Sequence, residues 1–208
     1  MPTFAQTSRL IAGLAALLLS AQLAGAQETA APAVDPTLSM GTNPTAAPAL
    51  KTEAEAEVGD LYLAASFDEW QQRCVKSADG SDPCRLYQLL KTADGNPTVE
   101  ISIFNLPAGG PAAAGAAVLV PLDTLLSANL SVGVDANKPM IYPYTVCGTD
   151  GCIARIGFSA DQIAQMKGGG EGILMLVPAG APTQQVTVKM SLKGFTAGFD
   201  AVTAANTR

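Results

Sequence analysis

The 208-residue chain contains no histidine, so any chemistry beyond packing must come from its four cysteines, its acids and a few lysines and serines. Without imidazole, a serine or cysteine nucleophile lacks its usual general base. Histidine-based zinc sites and histidine pH switches are excluded for the same reason. A Ser-Lys pair exists in Lys189 and Ser191, two residues apart on an alternating stretch, and it reads as a solvated strand face. Paired carboxylates need no histidine, and Asp68, Glu69, Asp123 and Asp135 lie near predicted strand ends. Glycosidase-type hydrolysis would need two of them roughly 5–10 Å apart in a cleft.

Three further patterns read as connections. Asp79-Gly80-Ser81-Asp82 and Asp94-Gly95-Asn96 lack the continuing ligand series and distant glutamate of an EF-hand, so they read as turns. Gly168-Gly169-Gly170 follows a predicted helix where a phosphate loop would precede one. No catalytic, cofactor-binding or metal-binding residue is expected.

The cysteines leave nine residues between Cys74 and Cys84 and four between Cys147 and Cys152. A four-cysteine zinc site needs two close pairs, and the nine-residue interval does not supply one; neither spacing is that of a two-residue redox motif. An even count on an exported chain predicts two disulfides, with three connectivities open. Cys74 with Cys84 and Cys147 with Cys152 is the preferred pairing. Each interval is rich in turn residues, and Gly148-Thr149-Asp150-Gly151 can set its two cysteines opposite each other in a hairpin. In the chain-entropy model, each short loop would contribute roughly 2–3 kcal/mol.

Export is read from the N-terminus. Arg9 precedes an apolar stretch, Leu10 to Leu19, and Ala24-Gly25-Ala26 supplies small residues for cleavage. Residues 1–26 are therefore predicted to be a signal peptide, cleaved after Ala26, with the mature chain in the periplasm or cell envelope. Its loss leaves 11 basic against 18 acidic residues, a net charge of −7, which disfavours nucleic acid and anionic membranes as partners. No transmembrane segment is expected in the mature chain. The uncharged stretch from Ile101 to Leu122 is broken by Pro107, Pro111 and Pro121.

Residues 27–60 are Ala/Pro-rich with few large apolar side chains, so they are predicted to form a disordered spacer. From Leu61 to about residue 203, short apolar runs alternate with Gly, Pro, Asn and Asp clusters. Val99, Ile101 and Ile103 alternate with polar residues, as do Val186, Val188, Met190 and Leu192, and each set predicts a strand with one face in the core. Ile173 to Val177 is apolar throughout and predicts a central strand covered on both faces. Ile153 to Phe158 predicts a strand leaving the second cysteine hairpin. One short helix is expected after Ser159, which forms a capping box with Gln162 and stops at Gly168. The segment from Leu122 to Ala128 fits either helix or strand. An all-β domain follows, an antiparallel β-sandwich with one short helix and two disulfides. Trp70, four residues before Cys74, reads as a core plug.

Several features in order resemble the invasion-associated locus B family of exported proteobacterial proteins. Phe67-Asp68-Glu69-Trp70 leads to Cys74, then come Cys84 and a proline-punctuated stretch ending in Val120-Pro121-Leu122. Val134-Asp135, the hairpin with Gly151-Cys152-Ile153-Ala154 at its exit, and Ser191-Leu192-Lys193-Gly194-Phe195 complete the series, which runs from Phe67 to Val202. The resemblance implies a periplasmic or envelope protein with an all-β domain and carries over no catalytic residues. It favours a non-enzymatic factor that binds a protein partner in the envelope or on a host cell, or maintains the envelope. A carboxylate-dependent hydrolase or carbohydrate-active enzyme and a small-ligand carrier are the alternatives. Tyr142 and Tyr144, beside the stapled hairpin, are the candidate partner surface; the competing reading places them in the core or at an edge, with Pro143 on an edge strand.

Overall fold

A computed structural model describes residues 49–207. The predicted signal peptide, residues 1–26, and the spacer up to residue 48 lie outside the described residues. The strands are β1 (Lys51–Thr52), β2 (Leu61–Phe67), β3 (Trp70–Val75), β4 (Cys84–Lys91), β5 (Pro97–Asn105), β6 (Ala114–Val120), β7 (Leu130–Val134), β8 (Met140–Tyr142), β9 (Tyr144–Cys147), β10 (Cys152–Phe158), β11 (Glu171–Leu176) and β12 (Val186–Ser191). Helix α1 (Ala160–Gly168) follows β10 and α2 (Phe195–Asn206) follows β12. Every pairing is antiparallel except β1 with β2, so the expected all-β class describes the domain.

The two layers expected of a sandwich belong to one hydrogen-bonded sheet in the order β8-β7-β11-β12-β4-β5-β6-β10-β9, with β3, β2 and β1 branching from β4. Its terminal strands β8 and β9 are separated only by Pro143, so one chain segment pairs with β7 before the proline and with β10 after it. Proline has no N–H to give a ladder, which makes it a suitable joint where the pairing partner changes. The sheet is thereby nearly closed.

Closure also depends on the seam between β12 and β4, where Lys189 opposite Lys91 is the paired position. There the buried Gln88 side chain behaves as a backbone unit. Its Nε2 donates to the Ser191 carbonyl at 3.1 Å, and the Ser191 N–H donates to its Oε1 at 3.1 Å. The Trp70 indole N–H donates to the same carbonyl at 2.8 Å.

The alternating residues named above enclose the core: Val99, Ile101, Ile103, Val188, Met190 and Leu192 are all buried, as is Trp70. Strand β11 departs from expectation. Gly172, Leu174 and Leu176 are buried, but Ile173 and Met175 are half-buried, because successive side chains face opposite sides and only the inner side meets the core. Helix α1 carries the predicted Ser159–Gln162 capping box, with Ile163 and Met166 inward. The Leu122–Ala128 stretch contains a 3₁₀ turn at Leu126–Ala128.

Helix α2 is an addition to the one helix expected. Phe195, Gly198, Phe199, Val202 and Ala205 recur at helical spacing and are all buried against the sheet. Phe195 meets Trp70 edge-to-face at 5.4 Å and stacks on Phe199 at 5.7 Å. The helix starts after Gly194, whose φ of 84° and close approach to the Phe67 carbonyl leave no room for a Cβ. It ends on Asn206, whose amide exchanges hydrogen bonds with the Cys84 backbone at 2.8 and 3.0 Å.

The spacer expected over residues 27–60 needs correcting in its last part. Lys51 and Thr52 pair in parallel with Tyr62 and Leu63, Ala56 packs against the core, and Lys51 bridges Asp60 at 2.6 Å. Backbone pairing and one small apolar contact order a segment whose composition looks solvated.

Candidate functional site

Both cysteine pairs are joined across strand partners. Cys74 and Cys84 face each other between β3 and β4, and Cys147 and Cys152 between β9 and β10. The Gly148 N–H donates to the Gly151 carbonyl at 2.9 Å and closes the turn that Cys147 and Cys152 staple. Gly151 approaches the Val120 carbonyl so closely that a Cβ would collide with it. The hairpin is therefore braced against β6 as well as by sulfur.

The two tyrosines leading into this hairpin turn inward. Tyr142 and Tyr144 are partly buried and pack against the core. The Tyr142 hydroxyl accepts a hydrogen bond from Gln162 Nε2 at 3.0 Å, and its ring meets Phe158 edge-on at 6.2 Å. The Tyr144 hydroxyl is buried with no hydrogen-bond partner among the described residues, and burial pushes its ionisation up to about 12. As a partner surface these two residues would offer only part of their rings; what the segment shows most to solvent is Met140, Ile141 and Val146, at 52, 58 and 49 % exposure.

Simple alternation fails here because the register between β9 and β10 shifts. Val146 faces Ile153 while Tyr144 faces Ala154, leaving Thr145 as an extra residue. A bulge has no dependable sequence signature, so the reversal of faces was hidden. What the sequence does display is an uncharged run from Pro139 to Thr149. Sheet edges are commonly guarded by charges, and this one, with β9 paired only to β10, is bare.

The acids are engaged elsewhere. Asp135 accepts the Gly170 and Glu171 backbone N–H groups at 3.2 and 3.0 Å and so anchors the glycine connector after α1. Asp68 sits in the tight β2–β3 turn and pairs with Lys193 at 3.2 Å. Asp123 contributes its backbone carbonyl to the Ala179 N–H at 2.6 Å. Glu69 completes the β2–β3 turn. Lys189 pairs with Glu171 at 3.1 Å, and Ser191 uses its backbone to hold Gln88 and its Oγ to accept the Lys193 N–H, so the two form no dyad.

In the loop between the first cysteines, Asp79 accepts the Ser81 N–H and hydroxyl. Asp82 accepts the Ser77 N–H at 2.7 Å, the Tyr62 hydroxyl at 2.8 Å and Lys76 at 3.1 Å. The Ser77 N–H, and after it the Tyr62 hydroxyl, holds the Asp82 carboxyl below the ordinary aspartate value. Among the described residues no cluster of three His, Cys, Asp or Glu side chains is placed to hold a metal ion. Among them, too, no helix is long and apolar enough to cross a membrane.

These features define a class: a nearly closed antiparallel β domain with two strand-to-strand disulfides and a bare apolar edge beside one of them. The chain belongs to the invasion-associated locus B family, whose sequence model, "Invasion associated locus B (IalB) protein", matches residues 70–203. It is 28 % identical over 146 residues to the invasion protein B homologues of Brucella abortus strain 2308 and of biovar 1 strain 9-941, covering 70 % of this chain and 82 % of each relative. The crystal structure of invasion associated protein B from Bartonella henselae shares the fold, with a TM-score of 0.56 and 22 % identity over 70 % of this chain and 99 % of that one.

Proposed function

We propose that this domain is a non-enzymatic protein-binding module of the periplasm or cell envelope, exported by cleavage after Ala26. In this reading it engages an extended apolar segment of a partner protein along β8 and β9. The observation that carries the reading is the exposure of Met140, Ile141 and Val146 on a segment without charge, next to a disulfide. Such residues gain from burial, and a stapled strand loses little entropy when it binds.

The related proteins named for invasion are compatible with a partner on a host cell, and an envelope partner fits equally. A photo-crosslinking residue placed at Val146 in the native cell should give a discrete adduct that Ile141→Lys abolishes, while the same residue placed at exposed Glu57 gives none. Loss of secretion-dependent processing at Ala26, equal adducts from both positions, or an adduct made only of a second copy of this chain would overturn the proposal.

A further inference from the structure

Among the described residues five lysines pair with carboxylates, whereas Lys91, Lys138, Arg73, Arg85 and Arg155 do not, and only Arg73 and Arg85 of these unpaired cations lie side by side with a groove between them. Lys51, Lys76, Lys167, Lys189 and Lys193 each pair with a carboxylate. Arg73 and Arg85 face each other in register on β3 and β4 and have no carboxylate partner among the described residues. Like charges directly opposite on a sheet are unfavourable. Acids outnumber bases 18 to 12, so the lack of a partner does not reflect a shortage of carboxylates.

Arg73 is also pre-positioned. Its guanidinium carbon lies 3.2 Å from the centre of the Tyr87 ring, and its Nε and Nη2 donate to Gln71 Oε1 at 3.0 and 2.7 Å. Glu100, on the neighbouring strand, is the acid whose field reaches both Arg73 and Tyr87. Arg85 is exposed and has no hydrogen-bond or ion-pair partner among the described residues. Beside the two arginines is an open groove of about 260 Å³, whose apolar lining is Val75, Pro83 and Phe104. Phe104 is 36 % exposed and held flat over Gly115, where a Cβ would strike its ring.

We infer that this outer face of β3–β5 binds a soluble phosphomonoester, its phosphate between Arg73 and Arg85 and its organic part on Phe104. Donor counting selects the class. The fork of Arg85 alone would satisfy a carboxylate, whereas two adjacent guanidiniums, with Arg73 also held by Tyr87, match the greater charge and the three terminal oxygens of a phosphomonoester. A dianion also neutralises both guanidiniums, which a single carboxylate does not. A soluble ester is favoured over an anionic bilayer because the chain as a whole is negative.

The test is calorimetric titration of the folded protein with phenyl phosphate, benzoate and inorganic phosphate at pH 7.5, alongside co-sedimentation with phosphatidic acid vesicles in phosphatidylcholine. Phenyl phosphate should saturate the protein at millimolar concentration or below and bind more tightly than either small anion. Its affinity should fall at least tenfold in Arg73→Gln and in Arg85→Gln, with Arg155→Gln unchanged. It should also weaken below about pH 6, where the phosphomonoester loses its second charge. Because Arg73 is half-buried, unchanged melting of Arg85→Gln separates lost binding from lost folding. Absence of saturable phenyl phosphate binding, benzoate binding as tight, affinity indifferent to both arginines, or sedimentation with vesicles alone would each overturn the inference.

Discussion

Replacing Tyr144 with phenylalanine should stabilise the domain, although Tyr144 adjoins the bare edge that the proposed partner uses. Its ring is packed against the core, but its hydroxyl is enclosed without a hydrogen-bond partner among the described residues. A buried hydroxyl left unpaired costs roughly 1–3 kcal/mol in proteins, and phenylalanine preserves the ring while removing the penalty. The ring keeps some exposure, so a gain of about 1 kcal/mol is the reasoned figure, equivalent to roughly 2–4 °C in melting temperature for a domain of this size. Thermal and urea unfolding of the oxidised protein measure it directly.

Tyr144→Ala supplies the opposite sign, because losing the ring should destabilise by 2 kcal/mol or more. The same burial raises Tyr144 ionisation to about 12, above its unfolded value near 10. Its contribution to stability is therefore intact below pH 10 and is lost as pH rises from 10 towards 12, and Tyr144→Phe should abolish that portion of the alkaline decline. If Tyr144→Phe instead lost 1 kcal/mol or more, the hydroxyl would have a partner such as a buried water, and the reasoning would fail.

The seam between β12 and β4 makes Gln88 a second target: Gln88→Leu orphans the Ser191 N–H and should cost about 1–3 kcal/mol, and an unchanged urea midpoint would show that water takes over the bond. A chain beginning at Leu61 should be about 1 kcal/mol less stable to urea than one beginning at Ala49, since β1 and Ala56 are lost; equal midpoints would return this segment to the role of a plain spacer. For Asp82, whose folded value is depressed, stability is present above the unfolded value near 3.8 and disappears as pH falls below it. Asp82→Asn should accordingly flatten the acid limb of a pH–stability curve, and an unaltered limb would exclude Asp82 as a contributor.

Local patterns carried much of this domain. Alternation at Val99–Ile103 and Val186–Leu192, the Ser159 capping box and the turn chemistry between each pair of cysteines depend on neighbours within a few residues, so they could be read without knowing what lies across the sheet. The order of cysteines, Trp70 and the C-terminal Gly194-Phe195 likewise pointed to the family. Helix α2 was also present in principle, as an apolar stripe at helical spacing, but it shows as a core element only once Gly198 is pressed against Leu86.

Tertiary structure alone decided the rest, because each remaining feature depends on residues far apart in sequence. A side-chain amide 103 residues from Ser191 replaces ladder bonds at a seam, and Pro143 switches one strand between two partners. A one-residue bulge turns Tyr144 inward and Val146 outward, which reverses the face a partner would meet. Arg73 and Arg85 are twelve residues apart and become a charged pair only through the register between β3 and β4. Periodicity reports which residues prefer burial; the pairing of distant strands determines which of them obtain it.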